Sequence, residues 1–172
     1  LYYKWQTFFF IPLGAIQTCI VPEISFNYAA RNLERCRKTL TEALIFGMAL
    51  MFIGTLCFVF IPVPMLHVFT HDEAVISICR VSFPIQGISF LPLVSSLTFP
   101  VFFQAVGASL KSSALTVIRT VVLFVPLGWL FSRFGLNYFW LTFPVTDVIT
   151  TTVGMILYRR FLRRAQAQER KL

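Results

Sequence analysis

The chain has 172 residues, of which 57% are hydrophobic and 13% charged, and its mean hydropathy is +0.76. Soluble domains carry about a quarter charged residues and are less than half apolar, so this composition excludes an ordinary soluble domain. The net charge of +8 comes from basic residues that lie between apolar stretches rather than in one aromatic-interleaved patch. That distribution argues against nucleic acid as a partner.

Long uncharged segments predict helices that cross a membrane. Residues 43–71 and 81–110 contain no Asp, Glu, Lys or Arg, and each exceeds the roughly 20 residues that a spanning helix needs. We therefore predict an all-α membrane protein with the lipid bilayer as its surroundings. A transmembrane bundle is expected over residues 1–162, followed by a basic cytoplasmic tail, 163–172. The bundle contains about five predicted spans, near 5–26, 41–63, 75–106, 113–131 and 137–158.

Basic residues set the predicted orientation. If five spans alternate, most Lys and Arg residues fall on one side, in a loop at 29–40, around Lys111 and from Arg159 onward. The positive-inside rule places that side in the cytoplasm. We expect a multi-pass protein of the cytoplasmic (inner) membrane with its C-terminal tail inside the cell. Because the chain begins at Leu1 and runs directly into an apolar span, we expect an N-terminal part to be missing.

Asp147, near the middle of the last span, is the most informative polar residue. A charged group at that depth costs about 2.5–3.5 kcal/mol on insertion scales, so it requires a reason. On helical spacing it shares a face with Thr150, Thr151 and Gly154. Such a stripe of polar and small residues either lines a cavity, with a cation or proton at the carboxylate, or packs against another helix.

Other polar residues within the spans are weaker candidates. Glu23 either reaches the cytoplasmic interface or takes part in transport, and Gln17 and Asn27 form helix-to-helix hydrogen bonds or contact substrate. Gln104 belongs to a stripe of small and polar residues in the third span that either faces an aqueous cavity or packs against another helix, and Gln104 is its one member that packing does not explain. We expect Arg119 to extend its long stem to the cytoplasmic surface, with pairing to a buried acid such as Asp147 as the alternative.

Two histidines, His67 and His71, superficially suggest a metal site, but Thr70 and Glu73 fit a capping box that starts a helix. We therefore expect no metal there. The sequence contains no protease, hydrolase or nucleotide-binding motif, so an enzyme is not expected.

Three segments resemble the multidrug and toxic compound extrusion (MATE) family. Residues 22–31, PEISFNYAAR, are similar to the family's Pro-x-x-x-Phe-Asn-Tyr-Gly-Ala segment, with Ala29 in place of the usual Gly. Residues 102–107, FFQAVG, resemble the family's Phe-Phe-Gln-Ala-x-Gly. The third segment keeps these residues in the family's order: Arg119, Pro126, Gly135, Trp140, Pro144 and Asp147.

The resemblance implies twelve helices in two six-helix lobes around a central cavity, with this chain forming most of the carboxyl-terminal lobe. The missing N-terminal lobe of the same polypeptide would then be a partner. It implies export of cationic or amphipathic small molecules in exchange for protons or sodium ions, without a bound cofactor. The alternatives are a lipid or lipid-linked oligosaccharide flippase of the same superfamily, which should have more basic residues in its cavity, and a truncated, non-transporting membrane fragment. Candidate substrate- or cation-binding residues are Asp147, Gln104, Glu23, Gln17, Asn27 and Arg119.

Overall fold

A computed structural model of the chain describes residues 2–68 and 72–169, with the side chains of 2–3, 74–75, 136–137 and 168–169 left undescribed. Within those ranges the chain is helical and contains no strand, which confirms the predicted all-α fold. In chain order the elements are α1 (Tyr2–Ala29), α2 (Leu33–Phe60), α3 (Pro62–His67), α4 (Glu73–Ala105), α5 (Ser109–Val117), a π-helical segment (Ile118–Leu123), α6 (Phe124–Ser132), α7 (Leu136–Phe139) and α8 (Thr142–Glu169).

The described residues include four helices that are long and apolar enough to cross a membrane. They are Lys4–Ala29, Leu33–Phe60, Ile76–Ala105 and Ser109–Ser132, the last being the continuous rod of α5, the π segment and α6. At 1.5 Å per residue, the 28 residues of α8 also have the length to cross, about 42 Å. Its threonines, Asp147 and basic end make it less apolar, so α8 completes the bundle as a fifth long helix of mixed polarity.

Several helix ends differ from the predicted spans. The loop expected at 29–40 is a short turn, because α1 ends at Ala29 and α2 begins at Leu33. Arg31 reverses the chain with a left-handed φ of 56°, and Asn32 caps α2 by accepting a hydrogen bond from the Arg35 N–H at 3.0 Å. The basic residues of that segment therefore lie mostly on the first turns of α2.

The last two elements also differ in extent from the prediction. A separate short helix, α7, precedes α8, which starts at Thr142 rather than 137. Because α8 continues to Glu169, the described part of the predicted tail is helical. The predicted capping residue Thr70 and His71 lie outside the described residues, and α4 begins at Glu73.

Helix α4 lies at the centre and packs against α1, α2 and α8. A helix that is apolar or small on all faces is buried, and the uncharged stretch 81–110 gives α4 that property. At one end of the core Phe58 stacks on Phe83 with ring centroids 4.8 Å apart. At the other end Tyr158 of α8 lies edge-on to Phe102 at 5.1 Å.

Small residues and hydroxyl groups bring the neighbouring helices close to α4. A Cβ atom on Gly154 of α8 would lie 2.7 Å from Cδ2 of Phe99, so only glycine permits this approach. Thr151 Oγ1 donates to the Pro92 carbonyl at 2.8 Å, and Thr55 Oγ1 donates to the Gly87 carbonyl at 2.8 Å. Both threonine hydroxyls are thus satisfied inside the bundle, and their hydrogen bonds tie α8 and α2 to the backbone of α4.

Candidate functional site

The ion pair between Asp147 and Arg119, together with a hydrogen bond from Ser96, connects three helical elements of the bundle. Asp147 of α8 is 2% exposed, and its Oδ1 accepts hydrogen bonds from Arg119 Nε at 2.8 Å and from Ser96 Oγ at 2.9 Å. Arg119 belongs to the π segment and Ser96 to α4. Hydrogen bonds between ionised partners are short and strong, and a buried carboxylate requires them to remain charged. The pair therefore fixes the position of α8 relative to the fourth span.

The expectation that Arg119 extends to the cytoplasmic surface is wrong, and the alternative of pairing with Asp147 is confirmed. The Arg119 side chain is 25% exposed and directed into the bundle. The physical reason is the environment of the acid: at 2% exposure an unpaired carboxylate is far more costly than the loss of hydration by a guanidinium, so pairing wins over surface exposure.

Arg119 is the second residue of the π-helical segment Ile118–Leu123. Within this segment the hydrogen bonds widen, and the Phe124 N–H donates to the Arg119 carbonyl five residues earlier. Pro126 follows shortly and has no N–H to donate to the preceding turn, which accounts for a departure from α-helical bonding here. Single π-helical turns are frequent at functional sites, so the local backbone is a second indication that this region has a role.

The ion pair forms part of the wall of a cavity of about 250 Å³. Its lining combines the charged pair and neutral polar groups with aromatic and aliphatic side chains, a mixture that suits an amphipathic or cationic ligand. The lining residues are Gln6, Phe10, Ser89, Leu93, Leu97, Arg119, Thr120, Phe124, Phe143 and Asp147.

Several buried polar atoms of the bundle have no hydrogen-bond partner among the described residues. Both side-chain polar atoms of Gln86 are unpaired, as are Oε1 of Gln6, Nε1 of Trp140 and the hydroxyls of Thr142 and Thr146. Gln6 lines the cavity, and the two threonines lie one turn apart on the helix that carries Asp147. Since buried polar groups are normally paired, these atoms are exceptions, and among them Oε1 of Gln6 belongs to a residue that lines the cavity.

Sequence reasoning missed Gln6 and Gln86. The signal for Gln86 was present, because it and Gln104 are the two amide side chains within the uncharged stretch 81–110. Gln6 lies at the beginning of the first span, where a polar residue is unremarkable, and only the packing of α1 brings it to the cavity.

Of the six predicted site residues, Asp147 and Arg119 are the two whose side chains bond to each other, and they do so across two helices. Gln104 is exposed near the end of α4, eight residues and therefore about 12 Å along the axis beyond Ser96. Gln17 is half-buried, and its Nε2 is 3.5 Å from Thr98 Oγ1, which links α1 to α4.

The remaining two candidates lie at the end of α1. Asn27 is buried, and its Nδ2 donates to the Glu23 carbonyl at 2.8 Å within the same helix. Glu23 is exposed, and its Oε1 accepts a hydrogen bond from Thr39 Oγ1 of α2 at 2.8 Å. The structure therefore divides the candidates between a buried pair and separate positions elsewhere on the bundle. Within the described residues no group of three His, Cys, Asp or Glu side chains has the arrangement of a metal site.

The family model described as MatE matches residues 3–130 of the chain. The fold is similar to that of a MOP superfamily transporter from Pyrococcus furiosus, with 19% identity, 95% of this chain covered and a TM-score of 0.87. It is similar to the Vibrio cholerae MATE transporter VcmN in its bent form, with 19% identity, 96% coverage and a TM-score of 0.85. It is also similar to a multidrug resistance MATE family transporter in an outward-facing conformation, with 19% identity, 96% of this chain covered and a TM-score of 0.87.

This chain spans only 38% of the first and third of these proteins and 39% of the second. At 19% sequence identity, the similarity to these three proteins is evidence for a shared fold only. No curated protein sequence matches the chain.

Proposed function

The chain belongs to the MatE family, whose solved relatives are membrane transporters, and on that premise we propose that it is part of a secondary active multidrug exporter. The exporter exchanges cationic or amphipathic compounds for protons or sodium ions. MATE proteins are transporters rather than enzymes, in agreement with the lack of catalytic motifs in the sequence. Coverage of about 38% of the related chains is consistent with a missing lobe, and the proposed partner is the N-terminal lobe of the same polypeptide.

The observation that carries the proposal is the Asp147–Arg119 pair in the wall of a cavity among spanning helices. With the two groups paired, the site has no net charge. A proton or sodium ion that binds the Asp147 carboxylate competes with the guanidinium, and Arg119 then faces the cavity as an uncompensated positive charge. A cationic substrate is repelled in that state and tolerated in the paired state, which is the mutual exclusion that antiport requires.

The composition of the cavity favours an exporter of cations over a flippase for lipid-linked oligosaccharides. A flippase must neutralise phosphates along its path, and basic side chains are the groups that do so. Arg119 is the basic residue among the ten that line this cavity, and its charge is balanced by Asp147. We further propose that the protein lies in the cytoplasmic membrane with the basic end of α8 in the cytoplasm, because Lys and Arg are concentrated there.

The test is dye efflux by the full-length parent protein in cells and in proteoliposomes. Collapse of the proton or the sodium gradient is expected to slow efflux. Asp147→Asn is expected to remove a coupling of about 5- to 150-fold between ion and substrate affinities, the usual range, and to slow efflux as a consequence. Glu42→Gln is the matched control, since Glu42 is an exposed acid whose Oε1 is 3.9 Å from Lys38 Nζ on the surface of α2. Its efflux is expected to equal that of the parent.

Efflux at the same rate after collapse of either gradient would show that the proposed coupling to protons or sodium ions is wrong. Normal efflux by Asp147→Asn would assign the carboxylate to helix packing alone. A full-length gene without further apolar spans upstream of Leu1 would support the alternative of a fragment without transport activity.

A further inference from the structure

We propose that the bundle holds a binding site for one anionic phospholipid, in a pocket between α2 and α8 at the basic end of the chain. This arginine pocket has a volume of about 410 Å³. It is lined by Arg37, Arg159 and Arg163 and by apolar side chains that include Leu44, Met155 and Phe99. The pocket is separate from the Asp147 cavity, and the two share no lining residue.

The charge of the arginine pocket is uncompensated. The ion pairs Lys38–Glu42 and Arg119–Asp147, seen among the described residues, involve none of the three pocket arginines. Among the described side chains, no acidic one lines the pocket. Three guanidinium groups around one concavity form a site for a phosphate, because each presents a planar fork of donors that matches phosphate oxygens.

The polarity of the pocket changes with depth in the way a phospholipid requires. Along α2, Leu44 lies seven residues beyond Arg37, about 10 Å deeper into the bundle. Along α8, Met155 lies eight residues before Arg163, about 12 Å deeper. Arg37 and Arg163 therefore lie toward one end of the bundle, and Leu44 and Met155 lie further toward its middle. A headgroup phosphate and the upper part of an acyl chain follow the same order.

The floor of the pocket is rigid and apolar. Phe99 of α4 forms part of it, and Gly154 of α8 is close enough that an added Cβ would meet the Phe99 ring. Tyr158 is 9% exposed and packs on Phe99 with ring centroids 5.8 Å apart. A free phosphate ion would use only the arginines and leave this apolar wall without a partner. A lipid covers both parts, and basic pockets between spanning helices are known sites for acidic headgroups.

Native mass spectrometry of the full-length protein in detergent tests the site, by titration with phosphatidylglycerol, phosphatidylcholine and inorganic phosphate. The pocket variant combines Arg37→Gln, Arg159→Gln and Arg163→Gln. The matched control combines Arg35→Gln, Arg160→Gln and Arg164→Gln, which removes the same charge from exposed positions on the same helix turns outside the pocket lining.

The pocket variant is expected to lose about 100-fold in apparent affinity for phosphatidylglycerol, since each basic residue near a membrane surface contributes roughly fivefold. The control is expected to change by less than about threefold, because its three arginines lie outside the pocket lining and act on a bound headgroup only across screening solvent. Leu44→Trp keeps every charge and fills the apolar part, so a loss of about tenfold in this variant provides a second test that does not depend on the folding of the triple variant.

Three results would overturn the proposal. Equal losses in the pocket and control variants would indicate general surface charge, and equal affinity for phosphatidylcholine would indicate an apolar groove without headgroup recognition. Displacement of phosphatidylglycerol by millimolar inorganic phosphate would indicate a site for a free anion.

Discussion

Removing either partner of the Asp147–Arg119 pair is predicted to destabilise the bundle, but by unequal amounts. Asp147 is 2% exposed, so in Arg119→Gln its carboxylate loses its charged partner while it is still buried. Of the two hydrogen-bond donors described above, only the Ser96 hydroxyl at 2.9 Å is left. In Asp147→Asn the guanidinium loses its partner, but its side chain is 25% exposed toward the cavity and retains hydration. The arginine variant should therefore be the less stable of the two.

The magnitude follows from the burial of each charge. Breaking a buried ion pair by removal of one partner costs about 3–5 kcal/mol, because the other charge is left uncompensated. We expect Arg119→Gln to lower the free energy of unfolding by an amount in that range. For Asp147→Asn we expect about 1–2 kcal/mol, since hydration offsets part of the lost attraction. In the double variant neither charge remains, so its cost should fall below the sum of the single costs by about 1–3 kcal/mol.

Equilibrium unfolding of the full-length protein in detergent measures these four free energies. The control cycle uses Lys38→Gln and Glu42→Gln, whose side chains are 76% and 55% exposed and should couple by no more than about 0.5 kcal/mol. Additive effects at Arg119 and Asp147 would refute the reasoning, because they would mean that neither charge depends on the other. A larger cost for Asp147→Asn than for Arg119→Gln would refute the assignment of the deeper burial to the carboxylate.

Gly154→Ala is expected to destabilise the bundle by about 1–3 kcal/mol in the same unfolding assay, because its Cβ would lie 2.7 Å from the Phe99 ring. Gly14→Ala is the control: its Cβ meets no atom within 4 Å, so this variant should be neutral or up to about 1 kcal/mol more stable, and an equal loss at both positions would contradict the packing argument. Asn32→Ala should cost about 1 kcal/mol through loss of the cap on α2, whereas Asn32→Asp keeps an acceptor for the Arg35 N–H and should retain stability; equal losses would exclude capping as the cause.

Helix centres were predictable from the sequence, but several helix ends were not. The second span was placed from 41 because charged residues precede it, yet α2 begins at Leu33. Arg and Lys are good helix formers, and Asn32 supplies a cap, so the helix extends beyond its apolar part. Hydropathy reports where a chain prefers hydrocarbon, whereas hydrogen bonding and capping decide where a helix stops.

The candidate site was likewise only partly predictable from the sequence. Asp147 was identifiable from the sequence because a carboxylate at depth is costly wherever the chain folds. Its partner was not, since Arg119 lies 28 residues away and its long side chain could have extended to the surface or turned into the bundle. Gln104 belongs by spacing to the same stripe as Ser96, but two turns of helix separate the two residues along α4, and only Ser96 reaches the acid.

By itself, the sequence determined that this protein is a helical membrane bundle of the MatE type, because long uncharged stretches and segment motifs are local properties of the chain. The tertiary structure alone decided that Arg119 pairs with Asp147, that Gln6 of α1 reaches the same cavity, and that arginines of α2 and α8 surround one pocket. The physical reason is that these contacts depend on how each helix is rotated and how closely it packs on α4. Rotation and packing are fixed by the fit of many side chains at once, which no single segment encodes.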